Sequence, residues 1–207
     1  FDFDSLLRPE EREVRDRVRA FVEAEVVPII ADYWERDETP MFMLEKLAAL
    51  NICGGSIQGY GCPGFSPLLT GLVQFELTRG DGSIGTLFGV TSGLGMMSIY
   101  LCGSEAQKQH WLPRLARMEA FCAFALTERN AGSDPANMTT TATPIEDGRY
   151  YLINGEKLWC TNGTRAELFV VMARTPDAVQ PDGSRRKQIT AFIVEASWPG
   201  VEVVHRC

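Results

Sequence analysis

Residues 139–163 read TTTATPIEDGRYYLINGEKLWCTNG, short runs rich in Thr, Tyr, Ile and Trp cut by Asp147-Gly148, Asn154-Gly155 and Asn162-Gly163. Such pairs are what tight hairpin turns require, because both turn positions take positive φ. TTTAT (139–143), RYYLI (149–153) and EKLWCT (156–161) are therefore expected as strands. The pattern continues outward. FCAFALT (121–127), ELFVVMAR (167–174) and QITAFIVE (188–195) are further β-rich runs, and Asp182-Gly183 marks another turn. Strands at this spacing predict a small antiparallel barrel or sandwich.

Upstream the period changes to that of helices. Pro9 followed by Glu10 and Glu11 suits a helix start. Val14, Val18, Phe21, Val22 and Val26 mark one apolar face, and Pro28 ends it. A second helix is expected over about Pro40 to Leu50. Ser66-Pro67 opens a third with Leu69, Leu72, Val73 and Leu77 inward. Ser104 and Gln107 make a capping box for a last helix, which Pro113 is expected to kink. The expected class is α+β: an all-α domain over residues 1–118, then a small antiparallel β-barrel domain over 119–207. The chain ends in an extended-looking stretch, VEVVHRC, which reads as part of something longer.

Composition narrows the function. The 207 residues are 45% hydrophobic and 23% charged, a globular balance. The net charge of -7 argues against a nucleic-acid surface. His110, His205 and six cysteines with no C-x-x-C pair give no zinc spacing, so no metal site is expected. The cysteines read as reduced, and the expected location is cytoplasmic. Gly82 to Ser104 carries no charge and is long enough to raise a membrane reading. Yet from Ile84 to Cys102 four of 19 residues are Gly and four are Ser or Thr, which favours a buried helix over a membrane span. Leu87, Val90, Leu94, Met97 and Leu101 form its apolar stripe, and Gly85, Gly89 and Gly93 a bare face.

Three runs are candidate sites. Gly59-Tyr60-Gly61-Cys62-Pro63-Gly64 fits G-x-G-x-x-G, but no strand precedes it and no helix opens at its third glycine, so a tight interhelical loop is the better reading. Thr127-Glu128-Arg129-Asn130-Ala131-Gly132-Ser133-Asp134 follows a strand. It reads either as a plain polar loop or as one offering several N–H groups to a ligand edge. Trp159-Cys160-Thr161 is either a core Trp with a turn Thr, or a cover for a flat heterocycle with a hydroxyl two residues on.

Together and in this order, ALTERNAGSD (125–134) and KLWCTNG (157–163) resemble the two flavin-contacting signatures of the acyl-CoA dehydrogenase family. FELTRGDGSIGT, GSEAQKQHWLPRLA and ITAFIVE followed by PGVEV extend the resemblance over nearly the whole chain. GYGCPGFS and TERNAGSDPANM look most like its glutaryl-CoA dehydrogenase branch and the related short-chain acyl-CoA oxidases. The resemblance implies a helical domain, a β-barrel domain and a carboxy-terminal helical-bundle domain that this chain lacks, with FAD against the barrel. By matched position Phe124, Ala125, Leu126 and Thr127 would meet the flavin's pyrimidine edge. Gly132 and Ser133 would meet ligand phosphate or the pantetheine arm, Trp159 and Cys160 the ring, and Thr161 flavin N5 and O4. Ser133, Gly85 and Thr86 would contact substrate. The implied reaction is α,β-dehydrogenation of an acyl-CoA in fatty acid metabolism. The implied partners are electron-transfer flavoprotein as acceptor and a second copy or more in a dimer or tetramer.

The implied catalytic base belongs to the missing domain, so no catalytic residue is assigned, and Glu128 is not that base. Arg129, Met118 and Cys160 depart from the family's usual Pro, Gly and Ile or Val. An acyl-CoA oxidase, and a non-catalytic scaffold for subunit contacts, are the alternatives. At Gly85 the glutaryl-CoA branch carries an Arg that holds the distal carboxylate. Glycine offers no charge, so an uncharged acyl chain or a neighbouring helix is expected against that face.

Overall fold

The computed structural model describes residues 4–206, and the chain divides into two compact units, 1–120 and 121–207. In the first, the helices are α1 (Pro9–Phe21), α2 (Ile30–Glu35), α3 (Met43–Ala49), α4 (Pro67–Gly80), α5 (Gly82–Gly89), α6 (Met96–Cys102) and α7 (Glu105–Ala116). Val22–Val26 and Val90–Gly95 are wound as π-helix. α1 starts where Pro9 predicts. The Glu11 carboxylate accepts from the Arg8 N–H and guanidinium at 3.1 and 2.8 Å and from Ser66 Oγ at 3.2 Å. Ser66 in turn accepts from the Leu69 N–H, so one buried acid ties together the starts of α1 and α4. Val18, Val22 and Val26 are fully buried, as their spacing demands.

Glu76 lies on the buried face of α4 and takes Arg19 Nη2 at 2.6 Å and Arg79 Nε at 2.8 Å. Such a carboxylate is tolerated because its oxygens are met by charged donors. Asp81 is extended and ends α4. Its Oδ1 accepts from the Ile84 N–H at 2.9 Å, capping α5, and its Oδ2 accepts from Trp34 Nε1 at 2.8 Å. The capping box of Ser104 and Gln107 forms as expected.

Gly82–Cys102 is one helical run long and apolar enough to cross a membrane, and half of its apolar window is buried within the fold. Its predicted stripe holds only in part. Leu87 and Val90 are buried, but Leu94 and Leu101 are exposed, and Met96 and Ile99 take their place inside. The π segment at Val90–Gly95 adds residues to a turn, which rotates the later side chains out of the 3.6-residue phase. The glycine face is also resolved. A Cβ on Gly85 would sit 2.3 Å from Thr78 Oγ1, and one on Gly89 3.1 Å from Gln74 Oε1, so α4 is the neighbour there. Gln74 Nε2 donates to the Gly85 carbonyl at 2.9 Å across this contact. At Gly93 a Cβ would meet nothing, and this glycine lines a cavity of about 200 Å³ with Ile52, Gly55, Thr70, Gln74 and Met97.

The second unit is a five-stranded sheet of β1 (Cys122–Ala125), β2 (Thr141–Ile145), β3 (Tyr150–Asn154), β4 (Leu168–Val179) and β5 (Arg185–Glu195). β4 is its spine. It pairs with β5 antiparallel along its length, with β1 in parallel over residues 168–171, and with β2 in parallel at Thr141↔Arg174. The expectation of a wholly antiparallel sheet is corrected: the sheet is mixed. More than forty residues separate the starts of β1 and β4, enough for the chain to cross over and return in the same direction. Asp147-Gly148 and Asp182-Gly183 do turn antiparallel hairpins, β2–β3 and β4–β5. EKLWCT is not a strand. Trp159 has φ 57°, and a residue in the left-handed region breaks an extended run. Asn162 (φ 67°) then turns the chain into β4. Ala123, Ala125, Ala166, Phe169 and Val194 form one buried cluster in this unit.

The glycine contact gives a direct test. Gly85→Ala is expected to lower stability by about 1–3 kcal/mol, because the methyl meets Thr78. Gly93→Ala, facing open space in a helix, is expected to be neutral or to gain up to about 1 kcal/mol. Thermal unfolding of both variants distinguishes the two positions, and equal effects would contradict the packing described.

Candidate functional site

The candidate site belongs to the second unit and grows from one buried carboxylate. β1 runs out at Ala125, and the next residues close a tight turn. The Glu128 N–H donates to the Ala131 carbonyl at 3.0 Å, and the Ala131 N–H returns to the Glu128 carbonyl at 3.2 Å. Arg129 and Asn130 are left exposed at the tip, followed by exposed Gly132 and Ser133. The turn throws the Glu128 side chain inward, where only 6% of the residue is exposed.

Both of its oxygens are occupied. Oε1 accepts from Lys157 Nζ at 2.8 Å and the Thr140 N–H at 3.0 Å. Oε2 accepts from the N–H and the hydroxyl of Thr139. Burial alone would raise the carboxyl pKa. The hydrogen bonds from Lys157 and the two threonines outweigh it and hold the group well below the usual carboxylate range. An acid whose lone pairs are all engaged inside the protein is not placed to accept a proton from a substrate.

Lys157 reaches further. Its Nζ also donates to the Leu126 carbonyl at 3.0 Å, and the next N–H, of Leu158, donates to the Thr127 carbonyl at 2.8 Å. The two sequence runs are thus joined side by side: the 126–134 loop and the 157–161 segment form one edge. At that edge Phe124, Leu126 and Thr127 are half-buried, and Ala125 is buried. Thr161 is exposed. Cys160 packs on the core with Ala125 and Phe169. Asn162 Nδ2 donates to the Cys122 carbonyl at 3.2 Å, fixing the turn that follows Thr161 back onto β1.

Trp159 decides what the edge is for. It is 72% exposed and held at φ 57°. Positive φ is unfavourable for a bulky residue, and leaving a large aromatic in water forfeits its burial. Both are tolerated where a ligand is to cover the ring. The reading of Trp159 as a core residue is therefore set aside. The edge presents a flat aromatic, a Thr hydroxyl two residues on, and the N–H of Thr127, which meets no acceptor among the described residues. This set fits a planar heterocycle with hydrogen-bonding edges.

Gly85 and Thr86 belong to the first unit. Gly85 is buried against Thr78 and Gln74, and Thr86 is exposed, its hydroxyl donating to the Gly82 carbonyl at 2.7 Å. Sequence reasoning set Glu128 aside as base and gave it no other part, and it gave Lys157 none. The signal was the pairing of a Glu and a Lys inside the two site runs themselves. Gly59–Gly64 is an interhelical loop with positive φ at Gly59, Tyr60, Gly61 and Gly64.

Comparison with known proteins gives a consistent result. The model of the acyl-CoA dehydrogenase N-terminal domain matches residues 8–119, and that of the middle domain matches residues 123–207. The very long-chain specific acyl-CoA dehydrogenase of Macaca fascicularis is 35% identical over 97% of this chain and 31% of its own length. The crystal structure of a glutaryl-CoA dehydrogenase from Mycobacterium smegmatis in complex with FADH2 superposes with a TM-score of 0.87 and 38% identity, covering 97% of this chain and 49% of that one. Butyryl-CoA dehydrogenase from Megasphaera elsdenii gives a TM-score of 0.82 at 30% identity, over 94% of this chain and 50% of that one. The chain therefore spans from about a third to a half of the length of these relatives.

Removing the acid should expose how much the edge depends on it. Glu128→Ala leaves the Lys157 charge unpaired in the interior, and a loss of about 3–5 kcal/mol is expected. The folded carboxyl lies below its ordinary value of 4.5, so its stabilisation is complete above that pH and is lost as pH falls below it. In thermal melts from pH 7 down to pH 2, Glu128→Gln should flatten the acid limb. An unchanged acid limb would show that Glu128 titrates normally.

Proposed function

We propose that this chain, which belongs to the acyl-CoA dehydrogenase family, supplies the flavin-facing edge of an FAD-dependent enzyme that dehydrogenates acyl-CoA thioesters between the α and β carbons. The observation that carries the reading is Trp159, strained, exposed and set beside Thr161 on an edge stitched to the 126–134 loop. When bound, FAD would supply a two-electron acceptor for the β-hydrogen. Trp159 would cover the ring and exclude water from one face. Thr161 would donate its hydroxyl at N5, and Phe124, Leu126 and Thr127 would line the pyrimidine edge. The Thr127 N–H, fixed before the reaction, is the kind of donor that stabilises developing negative charge without reorganising. Gly132 and Ser133, exposed on the loop, would meet phosphate or the pantetheine arm. No residue of this chain is assigned as the acceptor of the α-proton.

The substrate proposed is a monocarboxylic acyl-CoA, whose acyl chain carries no distal charge. At Gly85 no cation is present, and Thr78 and Gln74 of α4 fill the space a side chain would need. The residues lining the cavity at Gly93 include no charged group. Burying a distal carboxylate without a partner costs several kcal/mol. This sets the proposal apart from the glutaryl-CoA dehydrogenase it superposes on. Electron-transfer flavoprotein as acceptor is part of the same proposal; an oxidase using dioxygen is separated from it by peroxide release on turnover.

In the full-length protein, Thr161→Ala should slow flavin reduction at saturating substrate by an amount equivalent to about 1–3 kcal/mol, with the fold retained. Stopped-flow absorbance reads this, and an unchanged rate removes Thr161 from the site. For specificity, kcat/KM for butyryl-, hexanoyl- and glutaryl-CoA is compared with carbon dioxide release followed. Glutaryl-CoA is expected to be the poorest of the three. If it were the best and released carbon dioxide, the Gly85 argument would be wrong.

A further inference from the structure

We propose that Lys157 is a positioning residue that acts through the Leu126–Thr127 peptide. Its ammonium binds the Leu126 carbonyl, aims the Thr127 N–H to the opposite side and strengthens it as a donor, and Glu128 sets how much of the lysine's charge the peptide feels. The inference rests on the flavin reading above, which puts the pyrimidine edge against Thr127. It gives a role to a residue outside the contacts assigned there.

The geometry distinguishes this from an ordinary ion pair. The Glu128 carboxylate already has three donors in Thr139 N, Thr139 Oγ1 and Thr140 N. Lysine is not needed to satisfy its hydrogen bonding. What lysine alone supplies is the bond to the Leu126 carbonyl, 3.0 Å away, from an ammonium whose side chain is 10% exposed. The Leu126 carbonyl and the Thr127 N–H belong to one planar trans peptide and point in opposite directions. Fixing the oxygen therefore fixes the N–H. The following peptide is pinned as well, by the Leu158 N–H on the Thr127 carbonyl at 2.8 Å. Thr127 is thus held on both sides while its own N–H meets no acceptor among the described residues. A cation on a carbonyl oxygen polarises the amide, and in a water-poor setting that polarisation passes along the chain of hydrogen bonds. A donor improved in this way favours the reduced, more negative state of a flavin edge over the oxidised one. The Glu128 charge opposes the effect, so the ammonium and the carboxylate pull in opposite directions.

The test is the two-electron midpoint potential of the full-length, FAD-loaded protein, read by reductive titration against a reference dye. Lys157→Met should disfavour the reduced form about tenfold, which is a fall of about 30 mV for a two-electron couple. Lys157→Arg, which keeps the charge, should restore most of it. Glu128→Gln, which keeps an acceptor but removes the opposing charge, should raise the potential. A Lys157→Met potential equal to wild type would overturn the proposal, leaving the lysine a packing role only. If Lys157→Met does not retain FAD, Glu128→Gln decides: a raised potential supports the proposal, and an unchanged or lowered one overturns it. A wild-type protein that takes up no FAD overturns the flavin reading itself, and this inference with it, before any variant is made.

Discussion

The candidate site depends on one buried ion pair. Glu128 and Lys157 lie 29 positions apart in sequence and 2.8 Å apart in the fold. Neither can be buried alone, since an isolated charge in the interior costs several kcal/mol. Each therefore requires the other, and each carries its own run of sequence with it. Around them the Thr139–Thr140 backbone, the Leu126 carbonyl and the Leu158 N–H close a network, and two of these partners, Leu126 and Leu158, lie next to Thr127 and Trp159 on the candidate edge. The strain at Trp159 persists because the flanking residues are fixed from below in this way.

The first unit uses charge for a similar purpose. Glu11 joins α1 to the cap of α4, and Glu76 joins Arg19 of α1 to Arg79 of α4. These pairs fix the helix that lies against Gly85 and Gly89, where a close approach allows no side chain. Beyond that contact the π segment turns the long helix, Gly93 faces open space, and the cavity begins. Packed and open parts of one glycine face are thus separated by a local change in helical winding.

Much of this was legible in the sequence. The switch from helix to strand near residue 120, the caps at Ser66 and Ser104, and the hairpins at Asp147-Gly148 and Asp182-Gly183 follow from local chemistry that nothing else overrides. The failures have specific causes. The mixed sheet depends on where a long connection returns, which residue patterns do not encode. EKLWCT has strand composition, but its Trp takes a left-handed conformation that only tertiary contacts maintain. The stripe through Leu94 and Leu101 assumed a constant 3.6-residue turn, and the π segment breaks it. At the site, the two runs were visible one at a time. What joins them is a long-range ion pair, whose one trace in the sequence is a Glu in the first run and a Lys in the second, and neither run taken alone shows that the two meet.

The most direct test of the account is amide hydrogen exchange at Leu158, whose N–H donates to the Thr127 carbonyl where the two runs meet. If the ion pair holds the edge together, this amide is protected in the wild-type protein. In Lys157→Met its protection falls at least about tenfold, a local opening easier by about 1.4 kcal/mol, while amides along the β4–β5 ladder keep theirs. Undiminished protection at Leu158 in that variant would show that the two runs are held by something else, and would contradict the account.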